Sequence, residues 1–113
     1  MSDMDLDQVR RQVTERVDEW DDEDVAVRVE QARHPLHVTV GSRHPSTYYN
    51  QWIDLADDGT VRLPAPDDGF TSVGAKGTTA GTATSTEQAV ELVAGEVVKA
   101  VSVLKKLQAQ HLQ

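Results

Sequence analysis

His34, His37 and His44 lie within eleven residues, and imidazole is the side chain most often found on a protein-bound metal. Their spacing works against a shared ion. His34 and His37 are three apart in an extended stretch, which sends them to opposite faces, and His37 shares the solvent-facing parity of Thr39. They read as polar residues flanking a strand, so no metal ligand is assigned. His111, close to the last residue, joins no such group.

The carboxylates offer a second route to a cation. Asp3-x-Asp5-x-Asp7 imitates the start of an EF-hand loop, but the places that need Gly and Glu hold Gln8 and Thr14. The run Asp18, Glu19, Asp21, Asp22, Glu23, Asp24 around Trp20 could collect cations diffusely, or stand as a solvated charge run.

Residues 70–86 hold fourteen Gly, Ala, Ser or Thr in seventeen positions. A phosphate loop needs Gly-Lys-Ser/Thr at a helix N-terminus; here the order is Lys76-Gly77-Thr78 and the helix begins about eight residues later. No βαβ unit surrounds these glycines, so a dinucleotide fingerprint fails as well. Ser42, Ser46, Ser72, Ser85 and Ser102 occur outside any Gly-x-Ser-x-Gly elbow. No cysteine supplies a thiolate, a disulfide or a zinc ligand. A chain of 113 residues with 4% aromatics has little volume for an enclosed substrate pocket. No catalytic residue and no cofactor is assigned.

The whole chain is acidic, with 19 Asp and Glu against 11 Lys and Arg and a formal net charge of −8. Residues 1–30 alone carry eleven acids and four arginines, a net of −7. That balance argues against nucleic acid, whose phosphates need clustered Lys and Arg. Asp outnumbers Glu twelve to seven, and valine occurs sixteen times. The bias looks like that of haloarchaeal cytoplasmic proteins, in which short carboxylates keep the surface hydrated in molar salt. An acidic protein from a GC-rich bacterium is the alternative. No apolar run is long enough to span a bilayer, and the acidic first residues do not read as a secretory signal. The expected place is the cytoplasm, or a virion if the protein is viral.

These residues are positioned by a readable set of elements within one domain, residues 1–113. Leu6, Val9, Val13, Val17 and Trp20 recur at helical spacing over residues 4–20, with Ser2 or Asp3 as N-cap. Val25, Val27 and Val29 alternate with polar residues, as do Leu36, Val38 and Val40, giving two strands. Thr47–Leu55 is a third strand, Asp57-Asp58-Gly59 a hairpin turn, and Thr60–Leu63 a fourth. Short connections imply an antiparallel meander. Residues 70–86 form a long flexible loop, with room for a short strand at Phe70–Val73. Ser85 and Gln88 resemble a capping box opening a helix from Thr86 to Gln110. The fold class is therefore α+β: four antiparallel strands between an N-terminal and a long C-terminal helix, α-β-β-β-β-α.

Two surfaces could bind a partner. Tyr48 and Trp52 share strand parity with Tyr49 opposite, so one large ring faces outward unless all three pack under the helices. In the last helix Val90, Val93, Val97, Val101 and Leu104 form a stripe, which Ala94, Val98, Ala100, Val103 and Leu107 widen past half the circumference. Val98, Val101, Val103, Leu104 and Leu107 are the expected contact residues, either with a second copy or with another subunit. The other possibility is that the long loop or the first helix covers them.

Glu15-Arg16-Val17-Asp18-Glu19-Trp20-Asp21 leading into short strands, then Gln51-Trp52-Ile53 in mid-sheet and a closing helix, is similar to frataxin across residues 5–63. Frataxins are α-β-α sandwiches that bind iron on an acidic ridge and serve iron–sulfur assembly. The resemblance implies that Asp18, Glu19, Asp21 and Asp22 form the ridge and Trp52 the partner-contacting surface. No Asn-Arg-Gln-x-Pro-like stretch precedes Trp52, and residues 70–86 match nothing in that family.

The reading is a non-enzymatic interaction or assembly module acting through its C-terminal helix. It would work as a homo-oligomer or as a subunit of a larger assembly, cellular or viral, with no nucleic acid, membrane or disulfide involved. A frataxin-like cation- or iron-binding protein is the alternative, and a small unrecognised enzyme the third.

Overall fold

Helix α1, Leu6–Trp20, buries the stripe its spacing predicts: Val9, Val13 and Trp20 are buried, with Leu6 and Val17 packed beside them. The computed structural model describes residues 4–30, 36–45, 47–64 and 77–111. The N-cap is Asp5, not Ser2 or Asp3. Its carboxylate accepts from the backbone N–H groups of Asp7 and Gln8 at 3.1 and 3.2 Å, so the helix starts two residues later than expected. The Asp5 N–H donates to Thr86 Oγ1 at 2.9 Å, tying the starts of the two helices together.

Among the described residues five strands follow: β1 (Val25–Glu30), β2 (Leu36–Ser42), β3 (Asn50–Leu55), β4 (Thr60–Leu63) and β5 (Thr78–Thr82). They pair antiparallel in chain order, β1-β2-β3-β4-β5. The expected sheet of four strands is thus one strand short. Part of the supposed flexible loop, residues 78–82, is a strand paired with β4, while the remainder of 70–76, including the strand considered at Phe70–Val73, lies outside the described residues. β5 was hidden because Thr-Thr-Ala-Gly-Thr has no apolar alternation. Its place comes from long-range contacts, among them the Ala83 N–H donating to Gly59 O at 2.8 Å. Gly59 has φ +90°, and a Cβ there would stand 2.1 Å from Ala83 O, so the Asp-Asp-Gly turn needs its glycine twice over.

Helix α2, Thr86–His111, opens at the expected residue, but only half of the capping box forms, because the Gln88 side chain reaches back to Thr84 and not to the N–H of Ser85. Ser85 Oγ accepts from the Gln88 N–H at 3.2 Å, and Gln88 Oε1 accepts from the Thr84 N–H at 2.9 Å. α2 crosses all five strands and packs against α1, which in turn packs on β1.

Strand parity shows where the helices sit. Val25, Val27, Leu36, Val38, Val40, Ile53, Leu55 and Val61 all point to one face and are buried with Val93, Val97 and Leu104 of α2. Full burial of each such side chain contributes about 1.5–3 kcal/mol. Both helices cover that face, giving two layers. No described helix is long and apolar enough to cross a membrane.

Candidate interaction surface

The opposite face of the sheet carries no described helix. Register brings its side chains into rows across the strands. One row is Arg28, Thr39 and Trp52; the next is Glu30, His37, Asp54, Arg62 and Thr79. The second row alternates acid and base across four strands, the arrangement that stabilises cross-strand neighbours. Within it His37 Nδ1 is hydrogen-bonded to Asp54, and Asp54 is buried although it stands on the outer face. His37 is consequently half-buried and tied to a carboxylate, where its parity with Thr39 suggested a plain solvent-facing residue. This pair was missed because it depends on register. Strand alternation puts both residues on one face, but the seven-residue connection from β2 to β3 carries no local signal for their register.

Trp52 sits half-buried on the central strand of this outer face. Tyr48 and Tyr49 precede β3, which begins at Asn50 and not at Thr47. Tyr48 is 58% exposed, whereas Tyr49 is buried and leaves the set of binding residues.

The C-terminal helix does not present the continuous patch expected of it. Leu104 is fully buried inside the molecule and is core, not interface. Val101 and Leu107 are half-buried against the same core. Only Val98 and Val103 of the five are exposed, at 51% and 45%. Five positions apart, they stand about 140° from each other around the helix, on opposite flanks of its buried stripe. The wide apolar sector is used internally because α2 meets both α1 and a sheet five strands wide.

The acidic run has internal partners. Asp21 accepts two bonds from Arg43 Nη2 at 2.9 and 3.0 Å and one from the Val27 N–H at 3.0 Å. The Val27 bond, with Arg43 beside it, holds the Asp21 carboxyl below its usual range. Asp22 accepts from Lys105 Nζ at 2.8 Å and from the N–H groups of Asp24 and Val25, and its carboxyl is lowered chiefly by Lys105. Asp24 meets His44 Nε2 at 2.6 Å. Gln108, buried in α2, donates from Nε2 to Asp24 O at 2.8 Å and to Ser42 Oγ at 3.2 Å. Sequence reasoning overlooked Gln108, though it continues the buried stripe four residues after Leu104. Among the described residues, no three His, Asp or Glu side chains converge as a metal site.

One further feature lies at the sheet edge. Between β5 and α2 a groove of about 390 Å³ is lined by Gly81, Thr82, Gln88, Glu91 and Leu92. Comparison of the chain with protein-family models, curated proteins and solved structures found no match.

Proposed function

We propose that this chain is a non-enzymatic interaction or assembly module, working as a homo-oligomer or as a subunit of a larger complex in an acidic, high-salt cytoplasm. The observation that supports this reading best is the sheet face bare of described helices, with Trp52 at its centre. A large ring in that position suits a contact hot spot. The contact surface moves from the C-terminal helix to the sheet, because Leu104 is core and Val98 and Val103 lie on opposite flanks.

The native mass of the tagged chain in an extract of its own cells tests the reading. Wild type should migrate in a species heavier than its 12.4 kDa. Trp52→Ser, with unchanged circular dichroism, should weaken that association about tenfold or more. Migration of both proteins as monomers would refute the module.

The iron-binding alternative has less support. Of Asp18, Glu19, Asp21 and Asp22, the residues assigned to a ridge, the last two are engaged by Arg43 and Lys105.

A further inference from the structure

We propose that the outer sheet face takes an acidic segment of a partner protein, with carboxylates on Arg28 and Arg62 and an apolar side chain on Trp52 between them. The inference rests on the interaction reading and names the chemistry of the partner for that face.

The two arginines differ from most other cations of the chain. Arg10, Arg16, Arg43, Lys99 and Lys105 are each paired with a carboxylate of the same molecule. Arg28 and Arg62 are exposed and form no ion pair or hydrogen bond among the described residues, although the chain has 19 acids against 11 bases. Arg11 and Lys106 are unpaired too, but each stands on a helix, on the other side of the sheet from Trp52. Register accounts for Arg62. Asp54 stands opposite it, but the Asp54 carboxylate is buried and hydrogen-bonded to His37 on β2, away from β4. The Asp58 carboxyl of the adjoining turn is lowered chiefly by the Thr60 N–H and to a lesser degree by the Arg62 charge. Glu30 is the one exposed carboxylate in the two rows, so this face lacks the acid excess of the chain as a whole.

Arg62 also borders a recess of about 400 Å³ whose wall includes Thr78 and Thr79. A carboxylate in that recess would meet a planar guanidinium, whose paired N–H donors match its two oxygens. Arg28 is two strands from Trp52 in the same row, and Arg62 is one strand and two residues away on the other side. Strand spacing puts those backbone positions roughly 10 Å and roughly 8 Å from Trp52, and an extended segment covers either distance in about three residues. The occupant thus reads acid-x-x-apolar-x-x-acid. Nucleic acid is a poorer occupant, because two guanidiniums neutralise few phosphates and the rest of the chain repels a polyanion.

The test is NMR of the full chain, in enough potassium chloride to give a folded circular dichroism spectrum, titrated with the capped peptide Glu-Ser-Ser-Leu-Ser-Ser-Glu. Amide shifts should cluster at Arg28, Thr39, Trp52 and Arg62. Glutamine in place of both peptide glutamates, or Arg28→Glu/Arg62→Glu in the protein, should weaken binding about tenfold or more at unchanged circular dichroism. In the cell extract the same double variant should release the heavier species, as Trp52→Ser should. Absence of shifts at these amides, or equal binding of the glutamine peptide, overturns the acidic occupant. So does an oligothymidylate that shifts the same amides more strongly. If the purified wild type oligomerises by itself and the arginine variant does not, the occupant is a second copy and the proposal fails. If Trp52→Ser detaches the heavier species and the arginine variant leaves it intact, the proposal fails and the interaction module stands. Wild type that is monomeric in the extract ends both.

Discussion

Three carboxylates in the turn after α1 hold other elements in place. Asp21 reaches Arg43 beyond β2 and a backbone N–H of β1; Asp22 reaches Lys105 on α2; Asp24 reaches His44. The ionised forms of Asp21 and Asp22 make their contacts, and both carboxyls are held below the usual range. A group lowered in the folded state contributes stability above its unfolded pKa and loses it as pH falls through the folded value. Urea unfolding should therefore show stability falling below about pH 4. The Lys105 ammonium is raised, so its share is present at neutral pH and is lost only as pH climbs through its folded value. Asp22→Ala should cost about 1 kcal/mol at neutral pH and flatten the acid dependence. An unchanged acid limb in that variant would show that the bonds at Asp22 do not stabilise the fold.

The two helices and β5 show how the same kind of reading succeeds or fails with the source of the order. α1 was legible because Val9, Val13 and Trp20 recur at the helical period and all of them are buried. α2 was legible as a helix, its Ser85 cap included, but its contact face was not. Period alone tells which residues share a sector, not how many neighbours that sector must meet. Leu104→Ala should cost about 3 kcal/mol in urea unfolding, since a fully buried leucine leaves a cavity. Val98→Ser should change stability by less than about 0.5 kcal/mol, as an exposed position does. A small loss at Leu104 would return that residue to the surface. β5 was not legible because Thr, Ala and Gly carry no alternation, and its partners lie on β4 and at the Gly59 turn.

At the scale of the molecule, acid and sheet face have to be considered together. Residues 1–30 carry a net of −7. Two of those carboxylates are paired with Arg43 and Lys105, and Asp24 is hydrogen-bonded to His44. Many of the others stand on the surface, where they repel one another at low ionic strength. The midpoint of thermal unfolding should rise between about 0.1 M and about 3 M potassium chloride, and circular dichroism would follow it. A midpoint that falls or stays level would remove the high-salt setting from the proposed function. The outer face is mixed in charge instead, with Glu30, His37, Asp54 and Arg62 alternating beside Trp52. Such a surface suits one oriented contact better than diffuse attraction.

By itself the sequence determined the α+β class, both helices, the antiparallel meander through β4, the Asp-Asp-Gly turn and the acidic balance. Each of these is local: a period, a cap, a turn residue or a sum of charges acts over a few neighbours. Tertiary structure decided the rest. It added β5, withdrew Tyr49 and Leu104 from the surface, turned Asp21 and Asp22 toward structural partners, and set His37 against Asp54. All four outcomes depend on residues far apart in the chain. The free energy of a cross-strand pair or a buried leucine is defined only once the elements have met, so no window along the sequence contains it.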